Sequence, residues 1–292
     1  MHFTAERNGT ITKEHSLQDR FLEILYGSCI GRILVRPLIS PFVSVLGGKV
    51  LDSRISALWI SGFIRRHGID MSGYEQASYR SFNDFFTRRL TDGARRVEQS
   101  PDIFISPCDG RLTVYKITDA CEFTIKHTRY TVKSLLKSRK LAEKFEGGYA
   151  WIFRLCTDDY HRYIYTDDGT VSENRHVHGV FHTVNPAAGE AFPIYKENTR
   201  EYCLVKSPHF GTMIQMEVGA MLVGKIENRP GSGTVTRGQE RGNFAFGGST
   251  VIIMTQKKKA VPDGDILRYS RNGIEIRVKM GERIGRKNRH VL

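Results

Sequence analysis

This chain lacks cysteine pairs at metal or redox spacing, lacks an uncharged run long enough to cross a bilayer, and is short of acids for its number of bases. Its five cysteines (Cys29, Cys108, Cys121, Cys156, Cys203) are odd in number, and none forms a C-x-x-C pair. That argues against a zinc site or a disulfide framework and favours a reducing compartment. Pro37 to Gly48 carries no charge but is only 12 residues long and contains two prolines. A spanning helix needs about 20 apolar residues. The opening Met1-His2-Phe3-Thr4-Ala5-Glu6-Arg7 has neither the basic nor the apolar region of a signal peptide. Any contact with a membrane is therefore expected from one side. Internal repeats and low-complexity tracts are also missing.

What is present describes a folded protein. With 292 residues, 40% hydrophobic and 26% charged, the chain can bury a sizeable core in one or two domains. The 44 Lys+Arg against 31 Asp+Glu leave +13 at pH 7. Such an excess suits an anionic partner: a membrane surface, a nucleic acid or a phosphorylated substrate. Aromatics are not interleaved with Lys/Arg on a recognisable stacking strand, so a basic β-domain that binds nucleic acid is disfavoured.

Residues 17–67 are the most apolar part of the first half. Phe21, Leu22, Ile24 and Leu25 follow helical spacing, as do Ile30, Ile33, Leu34, then Leu58, Trp59, Phe63 and Ile64, with Arg32, Arg36, Lys49, Arg54, Arg65 and Arg66 among them. Basic amphipathic helices of this kind either lie in a headgroup layer or pack on a core. Ser81-Phe82-Asn83-Asp84 has the form of a helix N-cap box, with Phe82, Phe85, Phe86 and Leu90 on one face, which reads as structural packing. After about residue 100 the texture changes. Turn signals recur, and Trp151–Cys156, Met213–Val218, Met221–Ile226 and Val251–Met254 read as strands. Lys137 to Lys144 reads as a basic helical or loop insertion. The fold class expected is α+β: helices over residues 1–98, then a mainly antiparallel, β-rich domain over 99–292.

The chemistry is expected at Gly247-Gly248-Ser249-Thr250. Adjacent glycines permit backbone bends closed to other residues, and a serine after such a bend has a hydroxyl able to reach the carbonyl of Gly248. Three segments offer groups to activate it: Ser106-Pro107-Cys108-Asp109-Gly110 presents an acid, Asp159-Tyr160-His161-Arg162 follows a strand, and His178 and His182 flank a turn. A serine hydroxyl is a weak nucleophile until a base takes its proton, and that base works best when a third group orients it. Gly-Gly-Ser-Thr is not the G-x-S-x-G elbow of serine hydrolases. A hydrolase using Ser249 without cleavage stays as a rival.

Taken together, Ser106-Pro-Cys-Asp109-Gly, Asp159-Tyr-His161-Arg, His182-Thr-Val-Asn185-Pro, Lys225-Ile and Arg237-Gly-Gln-Glu240-x-Gly242-x-Phe244-x-x-x-Gly248-Ser249-Thr250 resemble the phosphatidylserine decarboxylase family. Pro41-Phe-Val-Ser44, Leu51-Asp-Ser-Arg54, Phe85-Phe86-x-Arg88-x-Leu90 and Gly281-Glu282-x-Ile284-Gly285 agree, collinear from about residue 20 to 285. The resemblance implies a self-processing enzyme. Ser249 attacks the carbonyl of Gly248, an ester forms by N-to-O acyl shift, and β-elimination cuts the chain into 1–248 and 249–292. The new N-terminal residue becomes a pyruvoyl group, the covalent cofactor, whose carbonyl forms a Schiff base with the substrate amine and serves as the electron sink that side chains lack. Asp109 and His161 match the acid and histidine of the maturation triad, with His182 and Asn185 as possible substrate-site residues and no metal.

Many members carry a second histidine where this chain has Ile164. Either His161 serves both maturation and product protonation, or His182 takes one part. The resemblance further implies decarboxylation of phosphatidylserine to phosphatidylethanolamine, an anionic membrane surface as partner, assembly as a homo-oligomer, and a peripheral location on the cytoplasmic face of a bacterial inner membrane. The alternative is a pyruvoyl decarboxylase acting on another serine phospholipid or an amino acid.

Overall fold

The computed structural model describes residues 2–14, 28, 40–75, 78–125, 128–180, 182, 194–220, 225–245 and 249–288. The helices expected at 17–39, and Asn185 and Gly248 of the expected site, lie outside them. The described residues form a mixed α+β protein dominated by antiparallel sheet. Three of the expected strands are present and longer than the apolar runs that signalled them: Tyr149–Leu155, Gly211–Val218 and Ser249–Thr255. Of Met221–Ile226, residues 221–224 lie outside the description, and Ile226–Asn228 is a strand.

These strands sit inside an 11-stranded sheet. Its middle runs Arg200–Ser207, Gly211–Val218, Ser249–Thr255, Tyr149–Leu155, Gly110–Lys116 and Glu275–Val278, each antiparallel to the next. Because side chains alternate across a sheet, each strand feeds two cores. Leu112, Trp151, Phe153, Leu155, Val251 and Ile253 bury on one face. Ile152, Ile214, Met216, Ile252 and Met254 bury on the other. A strand buried on both faces reads as a continuous apolar run rather than an alternation, which is the pattern of Val251–Met254.

The first face also packs residues of two three-stranded sheets, Ile226–Asn228/Glu240–Phe244/Arg162–Ile164 and Ala260–Pro262/Arg283–Lys287/Ile103–Ile105. The second face packs the hairpin Glu122–Ile125/Thr128–Thr131 and the helix Val132–Leu136. The basic stretch 137–144 is a short helix, Arg139–Ala142, capped by the Ser138 hydroxyl, leading into a 3-10 turn at Glu143–Phe145.

The region before residue 98 is not only helical, which corrects the expectation. His2–Ala5 and Ile11–Glu14 are strands that extend the main sheet, with Ala5 set parallel to Ile276. Four-residue strands of mixed polarity carry no periodicity to detect; Ala5 is buried only because Glu275–Val278 offers it an edge. Helices follow at Pro41–Asp52 and Ile60–His67, joined by a 3-10 segment at Arg54–Trp59. They pack Leu51, Ile60, Phe63 and Ile64 against Phe82, Phe85 and Phe86 of the short helix Phe82–Phe86. That helix is capped as its sequence suggested, the Ser81 Oγ accepting from the Asp84 N–H at 3.1 Å. Among the described residues no helix is long and apolar enough to cross a membrane.

Candidate active site

Ser249 is the first residue of the central strand Ser249–Thr255, and it is fully buried. It pairs with Leu155 on one side; on the other, Thr250 pairs with Val218. Among the described residues its hydroxyl has no hydrogen-bond partner. A buried hydroxyl left without a partner costs about 1–3 kcal/mol.

Asp109 arrives at the same end of the sheet. Arg111 and Thr250 both face Arg154, so Gly110 and Ser249 flank Leu155, two strand spacings or about 10 Å apart. Gly110 permits this approach: its φ is +153°, and a Cβ there would stand 2.8 Å from the Arg154 carbonyl oxygen. The buried Asp109 carboxylate accepts from the Met280 N–H at 2.8 Å, from Arg95 Nη2 at 3.1 Å and from Lys279 Nζ at 3.3 Å.

His161 follows the strand Tyr149–Leu155 by way of a tight turn, in which the Asp159 N–H donates to the Cys156 carbonyl at 3.0 Å. Its carbonyl accepts from the Phe244 N–H at 3.0 Å, five residues before Ser249. The imidazole is fully buried and packs on Phe86, with centroids 3.9 Å apart and the rings tilted by 38°. Its Nδ1 lies 3.0 Å from the Asp159 carbonyl oxygen. A carbonyl only accepts, so Nδ1 carries the proton and the ring's lone pair resides on Nε2, the arrangement a general base needs. The atom that orients Nδ1 is thus a backbone oxygen. The Asp109 carboxylate serves Arg95, Lys279 and Met280.

Asp159 organises this corner. Its carboxylate accepts from the Cys156 N–H at 2.7 Å and from Arg111 Nη1 at 3.3 Å. Burial outweighs the attraction of Arg111 and pushes the carboxyl up to about 6. Cys156, Asp158 and Asp159 bring donor atoms within 4.8 Å of one another. However, the Cys156 sulfur already accepts from Arg154 Nη1 at 2.9 Å, and burial pushes its thiol up to about 12. Two of the three donors therefore serve guanidinium groups. Asp109, Asp158 and Asp159 border a cleft of about 470 Å³ that also carries Arg95, Arg277 and Lys279; Ser249 and His161 do not line it.

His182 is buried, and Asn198 brackets its backbone. The Asn198 Oδ1 accepts from the His182 N–H at 2.9 Å, and Nδ2 donates to the carbonyls of His182 at 2.8 Å and Gly219 at 2.7 Å. Gly219 follows Val218, the partner of Thr250, so Asn198 ties the His182 segment to the strand end beside Ser249. The His182 Nε2 lies 3.4 Å from Glu197, and desolvation lowers its basicity despite that carboxylate. Sequence reasoning missed Asn198, whose Glu-Asn-Thr-Arg context carries no signal. It also treated Asp159 as a motif letter without a role, although its place two residues before His161 was a signal available, and it read Arg88 only as a basic residue near a helix end; nothing in the sequence brings Arg88 to His161.

A family model described as phosphatidylserine decarboxylase matches residues 82–286. A phosphatidylserine decarboxylase proenzyme 2 of Clostridium acetobutylicum is 42% identical over 268 residues, covering 91% of this chain and 92% of that protein. A phosphatidylserine decarboxylase proenzyme of Clostridium novyi is 39% identical over 275 residues (92% and 93%). One from Fusobacterium nucleatum is 34% identical over 291 residues (98% and 97%).

Proposed function

The chain belongs to the phosphatidylserine decarboxylase family, and on that premise we propose that it decarboxylates phosphatidylserine after cutting itself between Gly248 and Ser249. The observation that carries this reading is the Ser249 hydroxyl: buried, without a hydrogen-bond partner among the described residues, at the start of a central strand. His161 Nε2 takes the hydroxyl proton while the Asp159 carbonyl holds Nδ1–H. The freed oxygen attacks the Gly248 carbonyl; the Gly248 C–Ser249 N bond then breaks, the amine takes up a proton, and an ester remains. Loss of the Ser249 α-proton breaks the Ser249 Cβ–Oγ bond and releases the Gly248 carboxylate, leaving a dehydroalanine that tautomerises to an imine and takes up water, with loss of ammonia, to give the pyruvoyl group. Asp109, fixed by Arg95, Lys279 and a backbone N–H, stands at the same end of the sheet.

A pyruvoyl group at position 249 supplies a carbonyl that takes the substrate amine and draws off the electron pair left when carbon dioxide departs. The surroundings fit such a group. The position is dry and lies between Leu155 and the residue that follows Val218. A cut there does not free the smaller piece, because Ser249–Thr255 stays paired along its length with Tyr149–Leu155 and over six residues with Gly211–Val218. His161, or His182 from the Asn198 bracket, returns a proton to the product.

The reading extends to a surface. Leu46, Val50, Ile55, Leu58 and Trp59 are exposed apolar side chains of the N-terminal helices, with Leu58 78% and Ile55 72% exposed, and Lys49, Arg54, Arg65 and Arg66 lie among them. A basic apolar ridge of this kind suits an anionic lipid surface approached from one side.

Intact-mass spectrometry tests the central claim. The expected result is two species, 1–248 and 249–292, the smaller with a blocked N-terminus, and one uncut species for Ser249→Ala. A catalytically competent protein that remains covalently continuous would end the reading.

A further inference from the structure

Arg88 is a buried cation that meets no carboxylate among the described residues. It is 2% exposed, and among the described residues no acid lies within ion-pair distance of it. Its guanidinium is 4.6 Å from the Tyr74 ring centroid and 4.9 Å from that of Phe85. Its hydrogen bonds run from Nη2 to the carbonyls of Asp158 and Asp159, each at 3.4 Å, and Nε and Nη1 have none among the described residues. Burying a guanidinium this way is costly, and a Leu or Met would fill the same space between the rings. The place where the charge is applied explains its presence: the Asp159 oxygen that receives Arg88 is the one that receives His161 Nδ1, and a carbonyl has two lone pairs to share.

The connection runs both ways. Arg162, the residue after His161, donates from Nη2 to the Thr87 carbonyl at 2.7 Å, and from Nε to those of Thr87 at 2.9 Å and Arg88 at 3.2 Å. Segment 86–88 and segment 158–162 thus exchange guanidinium groups across each other's backbone. His161 lies between the two straps, its ring on Phe86.

We propose that Arg88 and Phe86 are positioning residues for His161: the Arg88 guanidinium pins the 158–159 carbonyls, Phe86 supports the ring, and together they hold the imidazole as its Nδ1–H tautomer with Nε2 directed to its work. This rests on the assignment of His161 as the base. Where a triad carboxylate orients the histidine, converting it to an amide and so favouring the wrong tautomer costs about 10⁴-fold in rate. The Asp159 carbonyl survives loss of Arg88, so a smaller effect is expected, about 10- to 100-fold.

The test compares Arg88→Met, Arg88→Lys, Phe86→Leu and His161→Gln. Each is followed by the rate of self-cleavage, by kcat and KM on phosphatidylserine in mixed micelles, and by ring ¹⁵N NMR of His161 in an uncut Ser249→Ala background. Arg88→Met should slow cleavage and kcat about 10- to 100-fold with KM nearly unchanged, and should give the His161 nitrogens averaged, mixed-tautomer shifts. Arg88→Lys, which keeps a donor and a charge, should recover most of the rate. Phe86→Leu should behave as a milder Arg88→Met. A merely structural Arg88 would lower the melting temperature and leave rate and tautomer alone below it. Normal rates and an intact Nδ1–H tautomer in Arg88→Met, with His161→Gln inactive, overturn this inference alone. Normal maturation and turnover in His161→Gln overturn the assignment of His161, and the role of Arg88 in the reaction with it.

Discussion

Replacing Glu217 by Met should strand a charge in the middle of the protein. Glu217 and Arg241 are both fully buried and joined in a bidentate pair, Nε to Oε1 and Nη2 to Oε2, each at 2.9 Å. Arg241 also reaches the Tyr165 hydroxyl at 3.2 Å and Asn174 Oδ1 at 3.1 Å, while Asn228 Nδ2 donates to Glu217 at 2.9 Å. Removing one partner of such a pair costs about 3–5 kcal/mol, because the other charge stays buried without compensation. An unfolding entropy of about 2.1 cal/mol/K per residue over 292 residues makes that a fall in Tm of about 5–8 °C. The double variant Glu217→Met/Arg241→Met removes both charges. It should lie within about 1–2 kcal/mol of the parent, since apolar replacements of buried pairs are often neutral and only Asn174, Asn228 and Tyr165 lose contacts. All variants are compared in the uncut Ser249→Ala background, by urea unfolding followed through the fluorescence of buried Trp151. A single variant that loses less than about 1 kcal/mol, or a double variant no more stable than the singles, refutes the view that this pair is a mutually dependent desolvated unit.

Two further outcomes follow from the structure. Burial raises the Asp159 carboxyl from 3.8 to about 6, so the folded state binds its proton more tightly than the unfolded state does. Its contribution to stability is fully present below about pH 3.8 and is lost as pH rises through about 6, on the order of 3 kcal/mol in all. Relative to Asp159→Asn, the parent should therefore lose unfolding free energy of that order as pH climbs across the window, and a pH-independent difference would contradict it. At the surface, the exposed Leu58 and Trp59 should each contribute about 1.5–3 kcal/mol when taken into an apolar layer. Leu58→Ser or Trp59→Ser should weaken sedimentation with phosphatidylserine-containing vesicles about 10-fold or more while leaving Tm unchanged. Equal binding would remove this ridge from the membrane contact.

The gain from tertiary structure is clearest at His161. The strand Ser249–Thr255 was legible because Val251-Ile252-Ile253-Met254 is apolar on both faces. The turn at Asp109-Gly110 was legible because its glycine is required by a conformation and a close approach that no side chain tolerates. The cap at Ser81 was legible because its bond is local. His2–Ala5 was not, since its burial is conferred by a partner strand 270 residues away in the chain. The Phe82–Phe86 helix read as packing, and so it is, but its Phe86 also carries the imidazole.

By itself the sequence determined the family, the Gly-Ser junction at which we propose the cut and the residue types available around it, because those are properties of order along the chain. Only the tertiary structure decided which atom orients His161, that Asp109 is committed to Arg95, Lys279 and Met280, and that Arg88 reaches into the same corner. The Asp159 carbonyl is only two residues from His161, but Arg88 reaches it across 71 residues and Lys279 reaches Asp109 across 170, and no local pattern encodes the direction in which a side chain spends its hydrogen bonds.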